Sequence, residues 1–307
     1  MKIIIKNIVI VIFVLTGIQT FGQQEPLYTQ YQNNFSLINP AYTGSNGHFT
    51  ATANVRSQWA GETGSPKTQT FSVQGAVGKN VGLGFSVVND KVFIWNNTEL
   101  FADFSYSLEM SESSTLSFGL KAGGSFLNVN LQDLGISGDP YLSGNINKFN
   151  PNLGAGALFY NDKFYASIST VNILETTHYD ENSTVSKASD EMVFYGSAGY
   201  MFDLGNDFKF RPSFLLRAVN GSPLSTDFSA SFLWSNRLEM AISHRFDSSI
   251  SGLLQVRVND NVKLGYSYDK LTSNLGNYNS GSHEISLVFD IGVFGKHASK
   301  KKIPFYW

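Results

Sequence analysis

The 307-residue chain has no cysteine, so no disulfide framework, thiolate metal site or cysteine nucleophile can form. Charge is scarce as well: 15% of the residues are Asp, Glu, Lys or Arg, against roughly 25% in soluble domains. The formal balance of −2 leaves no basic footprint for nucleic acid. No apolar run is long enough for a transmembrane helix, because the best, Ile8–Leu15, falls well short of the roughly 20 residues that cross a bilayer. Any insertion into a membrane must therefore be as a closed barrel. Composition alone also leaves a soluble all-β sandwich standing.

What the chain does have is a period of two. In Phe49-Thr-Ala-Thr-Ala-Asn-Val55 the apolar residues Phe49, Ala51, Ala53 and Val55 share one face, and Arg56 falls on the other. Glu239 lies opposite Leu238, Met240 and Ile242, and Arg257 opposite Leu254, Val256 and Val258. Asp103, Lys121, Lys209, Arg211, Arg217, Asp227, Arg245, Lys263, Asp269, Glu284 and Asp290 keep to the same polar phase. Alternation of this kind means strands, whose successive side chains point to opposite faces. The polar phase is also rich in Gly, Ser, Asn and Gln, and the chain as a whole in Gly (28) and aromatics (14%). That pattern predicts an all-β transmembrane antiparallel barrel with lipid outside and water within.

Four segments follow. Residues 1–22 read as a signal peptide: Lys2 and Lys6, then the short apolar run, then Thr20-Phe21-Gly22 at the cleavage positions. Residues 23–47 form a short N-terminal periplasmic arm, or a plug, with Leu27, Tyr31, Phe35 and Ile38 at helical spacing before Pro40 and Gly44. Residues 48–294 are the barrel, and 295–307 a basic C-terminal tail. Fourteen strands are expected, near 49–58, 68–77, 81–89, 98–110, 114–128, 152–160, 163–171, 190–202, 207–218, 223–234, 237–246, 250–258, 262–270 and 282–292. The even-numbered connections are short, as periplasmic turns are. Most of the odd-numbered ones are longer, notably 129–151, 172–189 and 271–281, as extracellular loops are.

The segments Tyr28-Thr-Gln-Tyr31, Asn39-Pro40-Ala-Tyr42-Thr-Gly44, Arg56-Ser-Gln-Trp59 and Gly64-Ser-Pro66-Lys-Thr68 resemble the N-terminal motifs of the PorP/SprF family. Pro212–Arg217, Gly221-Ser-Pro-Leu224 with Asp227, Gly265–Asp269 and Gly281–Ile285 are similar to its C-terminal half. Two departures are Thr43, where the family usually has Ala, and Gln32-Asn33, where it has an apolar pair. The resemblance implies an outer-membrane component of the type IX secretion system, exported through the Sec pathway, and not an enzyme. It implies binding of the type-B C-terminal sorting domain of a secreted adhesin or other cargo, supporting export, cell-surface attachment and gliding. Periplasmic motor and ring components are the other implied partners, besides outer-membrane lipid. No cofactor and no metal are expected. The alternative is a general porin for small solutes.

Other motifs are weaker. Gly82-Leu-Gly84 and Gly154-Ala-Gly156 open no helix and read as tight strand packing. His48, His178, His244, His283 and His297 are scattered, without metal-ligand spacing. His244 lies on the lipid phase, and Ser243 points to the opposite face, so the two form no catalytic pair. Arg211, Arg217, Arg245 and Arg257 can pair with Asp227, Glu239 and Asp269 across strands, and Glu284 shares their face. Such charges serve as a salt-bridged wall, a solute filter or a surface for an inserted polypeptide. Arg56, Trp59 and Pro66, at the outer end of the first hairpin, are expected to be exposed and are the candidate cargo contacts; Trp59 reads equally as a girdle residue.

Overall fold

A computed structural model describes residues 28–134, 145–174, 176–177, 189–190, 192–205, 207–273, 276 and 278–292. The expected signal peptide, the first five residues of the arm and the basic tail lie outside the described residues. Fourteen strands form one ring: β1 Phe49–Ser57, β2 Lys67–Ala76, β3 Val81–Val92, β4 Trp95–Glu109, β5 Ser114–Val129, β6 Ile146–Asn161 and β7 Phe164–Val171, then β8 Val193–Tyr200, β9 Phe208–Val219, β10 Ser225–Trp234, β11 Leu238–Arg245, β12 Ser249–Asn259, β13 Val262–Leu271 and β14 Ser282–Gly292. Each strand pairs antiparallel with its neighbours in the chain, and β1 pairs with β14 from Phe49↔Gly292 to Ser57↔His283, so no edge is left free. A two-residue extension, Phe202–Asp203, continues β8 alongside β9. Thr176–Thr177 and Ser189–Asp190 form a separate small ladder.

The two faces are distributed as the sequence predicts. On β1, Val55 is 52% exposed while the adjacent Arg56 is 3% exposed. Phe71, Phe85, Phe104, Leu120, Phe228, Ile242, Leu254 and Ile285 form an apolar outer surface, and His244 joins it beside Phe246, with ring centroids 4.9 Å apart. Asp103, Lys121, Arg211, Asp227, Lys263, Asp269 and Asp290 are all buried inside. Among the described residues, no helix is long and apolar enough to cross a membrane; the strands do the crossing.

Hairpin chemistry sets the register. Within the three-residue connection 235–237, Ser235 and Asn236 both have positive φ (51° and 50°), and the Arg237 N–H closes a tight turn onto the Trp234 carbonyl at 2.9 Å, a conformation whose twist matches its strands. On the same side, the exposed Lys163 ammonium lies 2.9 Å from Asp203, joining two neighbouring turns and holding the Asp203 carboxyl below its usual range.

Two outer hairpins are taller than expected. β3 runs to Val92 and β4 starts at Trp95, so the expected connection over 90–97 shrinks to Phe93-Ile94. Above the apolar band the outer face turns polar but stays paired: the Asn89 amide donates to Asn96 and to Thr98, both at 2.8 Å. β6 likewise starts at Ile146 instead of 152, with Phe149 packed on Phe126 at 4.8 Å between centroids and Asn128 bonded to Asn147.

Candidate functional site

The described part of the arm lies inside the barrel. It carries two 3₁₀ segments, Tyr31–Leu37, kinked internally where Asn34 leaves helical geometry (φ −138°, ψ 54°), and Pro40–Tyr42, which follows after Ile38 and Asn39. Asn39 caps the second turn by accepting the Ala41 N–H at 2.9 Å, and Pro40 occupies the first helical position, where its missing N–H costs nothing. Gly44 then reverses the chain at φ 79°, and a Cβ there would lie 2.7 Å from the Gly82 Cα. Gly119 is the matching concession in the wall: a Cβ on it would collide with the Pro40–Ala41 backbone.

Apolar and polar contacts hold the arm on different sides. Tyr31, Phe35, Ile38, Ala41 and Tyr42 form one buried cluster with Leu158, Tyr160, Tyr165, Val193 and Tyr195 of the wall. Phe35 meets Tyr42 and Tyr165 edge-on, with centroids 5.6 and 6.1 Å apart. Each such pair adds about 0.5–1.5 kcal/mol to the 1.5–3 kcal/mol of burying a Phe side chain. Asn39 donates to the Ala157 carbonyl, Ser169 to the Ile38 carbonyl and Ser105 to the Thr43 carbonyl, while Gln74 accepts the Gly44 N–H.

At the other end of the arm lies the densest charge cluster. Arg56 binds Asp269 at 2.6 Å and Glu284 at 2.9 Å, and also donates to the Thr29 hydroxyl at 3.0 Å. One guanidinium cannot satisfy two carboxylates, and the arm supplies what is missing. The backbone N–H groups of Thr29 and Gln30 donate to the two Glu284 oxygens at 3.0 and 3.1 Å, and the Thr29 hydroxyl donates to Asp269. Asn54 completes the Glu284 shell at 2.8 Å. Buried charges of this kind persist only when paired and hydrogen-bonded.

The direction of the arm follows. Thr29 sits level with Arg56, near the outer end of β1, and Asn46 leads back to Phe49 at its periplasmic start. The chain thus descends through the lumen, over roughly 18 Å at 3.3 Å per residue and a strand tilt near 40°. Some space remains along β9–β12, where a recess open to solvent is lined by Gln32, Arg211, Ser231, Glu239, Ser251 and Gln255.

The expected site residues separate into groups. Asn39, Pro40, Tyr42 and Gly44 are all in the lumen, as the arm motif. Arg211 pairs with Glu239 and also binds Gln32; Arg245 grips Asp227 through two bonds of 2.7 and 2.6 Å. Asp269 takes Arg56 in place of any of the four expected arginines. Arg257 stays near the periplasmic turn and donates to the Asp260 carbonyl at 3.4 Å. Two cargo-contact candidates need correcting. Arg56 is no outward contact, since its side chain points into the lumen. Pro66 is buried, its carbonyl accepting the Gln58 N–H at 2.9 Å. Of the three only Trp59 is exposed, at φ 49°, in the same loop as Gly64, whose carbonyl accepts the N–H of Phe93 from the neighbouring hairpin at 3.0 Å.

Thr29, Gln30, Gln32 and Asn33 tie the arm to the wall, a role the sequence did not assign: it gave the first two only as part of the Tyr28–Tyr31 motif and the last two only as a departure from the family. Asn33 donates to Ser286 at 3.2 Å and accepts from Gln255 at 3.0 Å, which explains polar residues where an apolar pair is expected. Their replacement of that pair was the available signal. Among the described residues, no group of three or more His, Cys, Asp or Glu side chains could hold a metal ion.

Comparison with known proteins gives two findings. Among solved structures the barrel is similar to the Ralstonia pickettii toluene transporter TbuX, with a TM-score of 0.50 and 8% identity, covering 83% of this chain and 92% of that one. It is also similar to the Acinetobacter baumannii outer membrane protein Omp33, with 0.48 and 10%, covering 81% and 100%, and to a Pseudomonas aeruginosa FadL homologue, with 0.48 and 11%, covering 88% and 95%. At such identities the likeness concerns the fold alone. No curated protein matches the chain. The family described as type IX secretion system membrane protein PorP/SprF matches residues 20–289. This chain is an outer-membrane β-barrel and belongs to the PorP/SprF family of type IX secretion membrane proteins.

Proposed function

We propose that the barrel is a non-enzymatic receptor that binds the type-B C-terminal sorting domain of a secreted adhesin or similar cargo and keeps it at the cell surface. The observation that carries this reading is the arm. It fills much of the lumen from the outer charge cluster to the periplasmic end, and its anchoring groups are buried. A general porin for small solutes needs that volume open, and removing the arm would strand Glu284 without two of its donors. Capture is non-covalent and without turnover. The outer rim supplies exposed aromatic surface at Trp59 and Phe93, of the kind that anchors protein interfaces. Secretion components on the periplasmic side are the second class of partner.

The test is loss of the chain from the native outer membrane. A large surface protein should disappear from the cell exterior while uptake of small nutrients stays unchanged, and that protein should co-purify with the intact barrel. Slowed uptake with undisturbed surface proteins would refute the receptor and favour the porin.

A further inference from the structure

The charges at the outer mouth do not balance side by side. On β13, β14 and β1, two carboxylates share Arg56. On β9–β11 the imbalance is reversed. Arg217 stands two residues from the outer end of β9, Asp227 near the start of β10, and Arg245 at the end of β11. Arg245 is paired opposite Asp227 in the ladder and takes both of its oxygens. Arg217 is 6% exposed, forms no ion pair among the described residues, and its Nε has no hydrogen-bond partner. A guanidinium cannot shed its proton to escape burial, so an uncompensated one calls for an anion.

Arg217 does not face packed protein. It lines a recess open to solvent together with Tyr28, Tyr31, Tyr195, Asp227 and Arg245. Two walls of this recess are aromatic residues of the arm, so a ligand here would touch the arm's outer tip. The planar fork of Arg217 matches a carboxylate, and the tyrosine rings suit the apolar stem that carries it.

We propose that this recess is a carboxylate-binding site for a polypeptide entering the outer mouth. Arg217 is the anion contact, Arg245 is held by Asp227 at the rim, and the tyrosines receive the neighbouring chain. The inference rests on the receptor reading and names the chemistry it recognises. Two sources share that chemistry: the α-carboxylate of a chain end and an acidic side chain within an extended segment.

The test uses the full chain in detergent micelles and calorimetric titration with four probes: an N-acetylated hexapeptide with a free C-terminus, the same peptide amidated, an amidated peptide with one internal Glu, and sodium acetate. Binding by the free acid that is lost on amidation identifies a chain end; binding by the internal Glu identifies a side chain. In either case R217Q should weaken binding about ten- to a hundredfold, the value of a charge-assisted hydrogen bond. R217K, which keeps charge but not the fork, should fall between. R217Q should also raise the unfolding midpoint, because it removes an unpaired buried charge, whereas R245Q should lower it by orphaning Asp227. The proposal is overturned if no carboxylate binds the wild type, if R217Q binds as well as wild type, or if R217Q lowers the midpoint as R245Q does. Cargo kept at the surface by an R217Q chain but lost on full deletion would refute this site while leaving the receptor intact.

Discussion

Ile242 offers a direct test of which face meets lipid. It lies midway along β11, paired with Ala230 on one side and Gly252 on the other, and is 67% exposed. In water such exposure would make substitution nearly free. In a bilayer, arginine near the midplane of a barrel costs about 2–4 kcal/mol. At 1.4 kcal/mol per factor of ten, I242R should shift the folding equilibrium about 30- to 700-fold. The control must face the lumen without holding the arm. Gln255 fails that requirement because it donates to Asn33, so replacing it also loosens the plug. Ser243 is better: it borders the open recess beside β9–β12, and its hydrogen bonds go to Ser229 and the Phe228 carbonyl of the wall, away from the arm. The cost of arginine there should stay below about 1 kcal/mol, as for ordinary surface changes. Equilibrium urea unfolding in phospholipid vesicles, followed by tryptophan fluorescence, reads both values. Equal penalties for I242R and S243R would refute the inside-out assignment.

G119V should push a methyl group into the Pro40–Ala41 backbone, releasing the arm and making residues 28–47 sensitive to protease while the wall stays folded; protection equal to wild type would mean that the arm does not rest on β5. Deleting residues 23–47 should turn a nearly silent barrel into a steadily conducting one in planar bilayers, and unchanged conductance would show that the arm does not limit passage. R56Q should destabilise by about 3–5 kcal/mol, since it leaves Asp269 and Glu284 facing each other without their cation. Combining it with E284Q should recover part of that loss, and a cycle showing simple additivity would exclude the network.

The strand count and the facing of the charges were legible because lipid and water impose a period of two on every crossing segment. That signal ends where a strand leaves the lipid. Asp90, Lys91, Asn96 and Asn97 carry no apolar alternation, so the tall tip of the β3–β4 hairpin over 90–97 looks like a loop although its ladder continues. The arm shows the complementary limit. Its helical spacing and the turn at Asn39-Pro40 are visible in the sequence, but nothing local says that the apolar side meets the lumen instead of the periplasm. Arg56 was placed on the correct face by its period, yet it was expected to be exposed. Its partners, Asp269 and Glu284, are more than 200 residues away, and only closure of the ring and entry of the arm bury it.

The arm's bonds to Glu284 also constrain how the barrel can be assembled. Gln30 and Glu284 are 254 residues apart in sequence, and the seam between β1 and β14 joins the same two ends of the chain. Contacts this distant carry the greatest loop-closure entropy and form late. The arm also touches strands on both sides of that seam, through Asn33 to Ser286 and through Thr52 to the Asn33 carbonyl. Placing the arm before the last pair zips spares it from being threaded from below into a finished ring. In that order the arm waits as a core for a wall not yet built, and any assembly factor would have to shield an open, polar-faced sheet until β14 arrived.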